Sequence, residues 1–104
     1  GGPIYVLTDA ESVSATERVL MFLQLLPNVT TIGVATNGAM ANSVGIEAPN
    51  GWGIQLPVQE AETADGRSYE GIGLPVDIEM LNDPADVASG FDEVLEAAIA
   101  MATE

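Results

Sequence analysis

Residues 4–36 switch between the two hydrophobic periods in an order that fixes most of what this chain can fold into. Ile4-Tyr5-Val6-Leu7 is a short apolar, β-branched and aromatic run that reads as a buried strand. Thr8-Asp9-Ala10-Glu11-Ser12 reads as a loop, after which Ala15, Val19, Phe22, Leu23 and Leu26 recur at helical spacing until Pro27 stops them. Thr30 to Thr36 is a second β-branched run. A strand that returns after a helical crossover of this length does so in parallel, so the first third is a βαβ unit.

The middle of the chain has another character. Val44 to Ala48 and Trp52 to Val58 flank Pro49-Asn50-Gly51, and Asn-Gly between extended runs signals a β-hairpin. Trp52 is expected to pack on the sheet. A second turn falls at Ala64-Asp65-Gly66, followed by a brief strand over Arg67 to Glu70 and an irregular segment at Gly71-Ile72-Gly73-Leu74-Pro75. Asp83-Pro84 reads as an N-cap with proline at the first helical position, and Phe91 to Met101 carries apolar residues at helical spacing. Ala88-Ser89-Gly90 is where that closing helix would break in two. With 104 residues, 47% of them hydrophobic, and no internal repeat or linker, one compact unit is expected.

Charge excludes several functions. Sixteen acidic residues against two basic ones give a net charge of -14, which repels phosphate backbones and anionic headgroups, so nucleic acid is not an expected partner. No apolar run reaches the roughly 18 residues of a membrane span. Without cysteine there are no disulfides or thiolate metal sites. The chain also has no histidine and no lysine. A serine hydroxyl becomes a nucleophile when an adjacent base takes its proton, and His or Lys normally does so; a serine enzyme built on this chain takes its base from elsewhere.

Ser14 stands where the loop after the first strand meets the helix, a place where a side chain is held exposed while backbone N–H groups converge on it. The same serine begins Ser14-Ala15-Thr16-Glu17, a capping box in which it would accept from the N–H of Glu17 while the Glu17 carboxylate reaches back. Local sequence favours the cap over the nucleophile, because a capping box is a common helix signal and no flanking glycines make a nucleophile elbow.

Three ordered segments resemble the tail-specific (C-terminal-processing) and tricorn-like serine peptidases. The strand from Pro3 to Thr8 followed by Ser12-Val13-Ser14-Ala15-Thr16-Glu17 is similar to that family's strand and serine-x-serine-alanine-x-glutamate segment, whose second serine attacks. Leu26 to Gly33 followed by Thr36-Asn37-Gly38-Ala39 resembles its second strand and the threonine-x-glycine loop beside the active site. Tyr69 to Ile78 is similar to its glutamate-glycine-x-glycine-x-proline-x-aspartate-isoleucine signature.

The resemblance implies an α/β fold of the crotonase/ClpP-like kind, present as a core fragment of βαβ unit, hairpin region and closing helix, with residues 1–104 forming the C-terminal part of a serine peptidase catalytic domain. It implies Ser14 as nucleophile, the N–H of Ala15 as one oxyanion donor, Glu70 as the carboxylate that orients the base, and Thr36 and Gly38 beside the substrate. Asp77 and Glu79 read as structural or solvated. Ala39 occupies the position of the lysine used by one branch, so the base is expected to be an upstream histidine, as in the tricorn-like branch. No metal or organic cofactor is implied. The implied partners are a peptide or protein substrate and the remainder of the catalytic domain, with a homo-oligomer left open. The location favoured is periplasmic or extracellular. Two rival readings stand beside this one: a non-catalytic peptide- or partner-binding homologue in which Ser14 only caps its helix, and an acyl-CoA enzyme of the crotonase group.

Overall fold

A computed structural model describes residues 1–104. The βαβ unit forms as expected: β1 (Ile4–Thr8), α1 (Ala15–Leu23) and β2 (Val29–Gly33), with β1 and β2 parallel in the register Ile4 opposite Val29 through Thr8 opposite Gly33. β2 is shorter than the run Thr30 to Thr36 because Gly33, at φ 134°, turns the chain against Thr8; a Cβ there would lie 1.9 Å from the Thr8 carbonyl oxygen.

β3 (Asn42–Glu47) and β4 (Gly53–Gln59) make the antiparallel hairpin. The brief strand expected over Arg67 to Glu70 is reduced to a single bridge between Glu62 and Ser68. Sequence reading missed β5 (Ile78–Glu79), which pairs parallel with β2 and gives a three-stranded sheet in the order β1-β2-β5. Two residues carry too little periodicity to be seen. The closing helix is broken at the expected place: α2 (Pro84–Ala88) ends before Gly90 at φ 92°, and α3 (Glu93–Ala102) follows. Asp83 and Asp92 cap the two helices, accepting from the N–H of Ala85 and Leu95.

Successive strand residues point to opposite faces, so Val6 and Tyr5 look into different layers. On one face Leu20 of α1 meets Met40 and Leu74 beside Val6; on the other Val94 and Ala98 of α3 meet Ile32 beside Tyr5. These two small clusters hold α1 and α3 against the sheet. Asp77 is structural: its carboxylate accepts the N–H and hydroxyl of Thr31 at 2.8 and 3.0 Å, pinning the approach to β5 onto β2.

The chain is not the compact unit its length suggests. Its radius of gyration is 16.8 Å, against about 13 Å for a compact domain of 100 residues. Thirteen residues are buried while nineteen large apolar side chains are exposed. Ile4 and Leu7, read from sequence as buried on both faces, are 43% and 39% exposed, because β1 is an edge strand whose side away from β2 is open. Val19 and Phe22 of α1 face outward, with exposed Leu26 just after the helix, and so do Leu95 and Ile99 of α3, with exposed Phe91 just before it. The hairpin is exposed along its whole length. Trp52, expected to pack on the sheet, is 73% exposed, since the hairpin is a separate two-stranded ribbon.

Candidate active site

Loop 9–13 leaves β1 in a turn closed by Asp9, whose carboxylate accepts the Glu11 N–H and the Ser12 hydroxyl. The chain then reaches Ser14, which is exposed and is the one non-glycine residue with positive φ, at φ 62° and ψ -119°. That conformation belongs to the first central position of a type II′ turn, where glycine dominates because a Cβ is strained. Helix caps do not need it. A capping residue normally has extended backbone, as Asp83 (φ -74°, ψ 124°) and Asp92 (φ -108°, ψ 101°) have here.

The capping box is in place but lopsided. The Ser14 side chain faces the Glu17 N–H without closing a cap hydrogen bond, while the Ser14 N–H donates to Glu17 Oε2 at 2.8 Å. Ala15, the first residue of α1, has an N–H with no acceptor inside the helix.

Glu17 is fully buried and holds three segments together. Besides Ser14, it accepts the N–H of Gly38 on Oε1 at 2.6 Å and that of Ala39 on Oε2 at 3.1 Å. Burial pushes its pKa up, but the Thr36 hydroxyl and the N–H groups of Gly38, Ser14 and Ala39 outweigh that and leave it below its ordinary value. Arg18, one turn position on, donates through Nε and Nη2 to the Met40 carbonyl at 3.0 and 2.9 Å. The helix that carries Ser14 thus grips residues 38–40 from two successive positions.

Residues 36–41 are gripped from the other side by residues 70–74. Glu70 Oε2 accepts the N–H of Met40 at 2.9 Å and of Ala41 at 3.1 Å. The Gly71 N–H donates to the Gly38 carbonyl at 2.7 Å, and the Leu74 N–H to the Thr36 hydroxyl at 2.8 Å. The two backbones touch: a Cβ on Gly73 would lie 2.0 Å from the Thr36 carbonyl oxygen, and one on Gly38 2.7 Å from the Gly73 nitrogen. Both glycines also have positive φ, so the seam admits no side chain at either position.

The residues singled out in the sequence therefore fall into one framework with different exposures. Ser14 and Ala15 are exposed at the start of α1, and Ala39 is exposed in the adjoining loop. Thr36 and Gly38 are buried in the seam, turned toward Glu17 and residues 71–74. Glu70 is exposed, with Oε2 holding the loop. Sequence reading used Glu17 only as a capping partner and missed its buried clamp. The available signal was spacing: Glu17 stands three residues before Leu20, on the side of α1 that is buried.

An open cavity of about 860 Å³ lies beside this framework, beyond the carboxyl ends of the three parallel strands. Leu7, Val34, Met80 and Val87 are among its apolar walls, and Ser12 is on its rim. Ser14, Thr36, Gly38 and Glu70 do not line it. No cluster of three or more Asp and Glu side chains is placed to hold a metal ion.

The family model for peptidase family S41 matches residues 1–80, which contain the whole framework. A candidate peptidase from Parabacteroides merdae has a similar structure, with a TM-score of 0.84 at 31% identity, over 95% of this chain and 31% of that one. The tricorn protease superposes with a TM-score of 0.84 at 24% identity, over 96% of this chain and 10% of its own. A candidate S41 protease from Bacteroides fragilis gives 0.73 at 22%, over 98% and 28%. The last two likenesses speak for the fold alone, and the chain spans about a third or less of each of these structures. The curated proteins contain no match. By the family match over residues 1–80, the chain belongs to peptidase family S41, the tail-specific and tricorn-like peptidases.

Proposed function

We propose that this chain carries the nucleophile half of a serine peptidase site and that Ser14 is the nucleophile. The observation that carries the reading is the Ser14 backbone at φ 62°, ψ -119°, a strained geometry that the other two helix caps of the same chain do without. Such strain costs about 1–3 kcal/mol and persists where a function requires the aim it gives. It lifts the hydroxyl to the surface at the positive end of α1, where the Ala15 N–H is free for an oxyanion.

In this reading Ser14 Oγ attacks the peptide carbonyl as a base takes its proton. The tetrahedral intermediate places its oxyanion on the Ala15 N–H, the C–N bond breaks as the base returns the proton to the amine, and water then hydrolyses the acyl-enzyme. The base and the second oxyanion donor come from outside these 104 residues, since the chain has neither His nor Lys. One donor supplies about 10² to 10³ in rate. Glu70 Oε2 holds residues 40–41, and Glu70 orients the base. Thr36 and Gly38 set the loop along which substrate lies.

The fold is proposed to be the C-terminal part of a crotonase/ClpP-like catalytic domain. Its accessible surface of 6894 Å² exceeds by about 1,400 Å² what a compact protein of this mass exposes. The bare β1 edge and the outward stripes of α1 and α3 are where the remainder of the domain would lie. Peptide hydrolysis by the full-length protein, compared with its Ser14→Ala variant, tests the reading: turnover is abolished in a folded variant, whereas unchanged turnover leaves only the capping role and favours the non-catalytic homologue.

A further inference from the structure

The cavity outside the carboxyl ends of β1, β2 and β5 is unlike the rest of the exposed apolar surface, because it is concave and one-sidedly charged. Its volume of about 860 Å³ lies within the range of about 300–1,000 Å³ typical of ligand sites, and open α/β sheets bind ligands at this end of their strands. Its walls are apolar at Leu7, Val34, Met80 and Val87, and its rim carries Asp9, Glu11 and Asp92.

None of that negative charge meets a cation. The two arginines are committed elsewhere, Arg18 to the Met40 carbonyl and Arg67 to Asp65 at 3.5 Å. The Asp9 carboxylate accepts hydrogen bonds from its own turn, and the Asp92 carboxylate accepts the Leu95 N–H and the Asn82 side-chain amide, but the Glu11 carboxylate accepts none. Behind the rim the Asp86 carboxyl shares a hydrogen bond with Glu93, which raises the Glu93 pKa, with burial and the charges of Asp86 and Asp83 adding to it. Like charges crowd this end of the molecule without compensation.

The cleft is also close to the nucleophile. Ser12 lines it and Ser14 follows two residues later, a stretch of chain that spans about 7 Å at most.

We infer that this cleft is a subsite for the peptide substrate and selects segments in which Lys or Arg flanks an apolar residue, the apolar side chain entering between Leu7 and Val87 and the cation meeting Glu11 at the rim. The inference rests on the peptidase reading of Ser14 and adds the substrate class to it.

The test uses the full-length protein carrying Ser14→Ala, so that peptide is bound and not consumed. Two fluorescein-labelled peptides share one apolar sequence and differ in two positions, lysine in one and glutamate in the other. Fluorescence anisotropy should show the lysine peptide binding at least about tenfold more tightly at low salt. The preference should shrink at about 1 M salt, where the Debye length falls to about 3 Å. Glu11→Lys should remove most of the preference and Glu11→Gln part of it, the second serving if the first does not fold. Equal binding of the two peptides, or a preference that neither Glu11 variant moves, overturns the inference, as when the rest of the domain fills the cleft. Labelling of the Ser14 protein by a small neutral fluorophosphonate reads the hydroxyl separately. Labelling without a lysine preference sinks the cleft alone, and a lysine preference without labelling sinks the nucleophile and keeps the cleft.

Discussion

Glu17 Oε1 accepts the backbone N–H of Gly38 at 2.6 Å inside the protein, so the helix that presents Ser14 and the loop facing it are joined through one buried carboxylate. Glu17→Gln replaces one acceptor oxygen with a donor among three N–H groups that already donate. It should cost about 3 kcal/mol in chemical denaturation of the full-length protein and slow labelling at Ser14. The wild type should also carry an acid-sensitive term. The Glu17 pKa is held below its ordinary value near 4.5, so the stability it contributes is present in full above that value and is lost as pH falls through its lower folded value. In Glu17→Gln the denaturation midpoint should fall less steeply below pH 4.5; an acid limb identical to wild type would contradict the clamp.

Gly73 and Gly71 make a matched pair. Both have positive φ, but a Cβ at position 73 meets the Thr36 carbonyl oxygen at 2.0 Å, whereas one at position 71 meets nothing within 4 Å. Gly71→Ala should cost about 1–2 kcal/mol, the conformational penalty alone. Gly73→Ala should cost clearly more, because the seam must open. Thermal denaturation of the two full-length variants decides it, and equal losses would mean that the backbones do not touch.

Glu70→Gln separates two roles of one side chain. The amide oxygen can keep the N–H groups of Met40 and Ala41 while the charge is lost. If Glu70 orients the base through its charge, kcat should fall by at least about tenfold with KM and melting temperature little changed. Wild-type rates would reduce Glu70 to a loop clamp.

What the sequence made legible follows from what kind of physics each element obeys. The βαβ unit, the Asn-Gly hairpin and the proline-started helix broken near Gly90 are set by periodicity and turn chemistry within a few residues, and all are found. β5 is set by pairing with β2 over two residues, which leaves no local trace. Ser14 was visible as either cap or nucleophile, because Ser-x-x-Glu encodes a box and not a backbone angle. The clamp on Glu17 was hidden for a related reason: its partners are main-chain groups 21 and 22 residues away, and main-chain groups have no letters. Ile4 and Leu7 carry the pattern of a buried strand, yet burial depends on what covers the sheet.

Ser14→Gly offers a test of strain. A glycine adopts φ 62°, ψ -119° at little cost and is itself an acceptable cap, so the variant should be more stable than wild type by about 1 kcal/mol while losing peptidase activity. A glycine variant no more stable than wild type would show that the backbone at position 14 is not strained.

The identity of the nucleophile is open to direct chemical labelling. The full-length protein should be treated with a fluorophosphonate, digested, and the adduct located by mass spectrometry. One covalent adduct is expected, on the peptide containing Ser14, absent from Ser14→Ala and absent when the 104-residue chain alone is treated, because the base lies outside it. An adduct on another serine, or equal labelling of the Ser14→Ala protein, would contradict the assignment of Ser14 as the attacking residue.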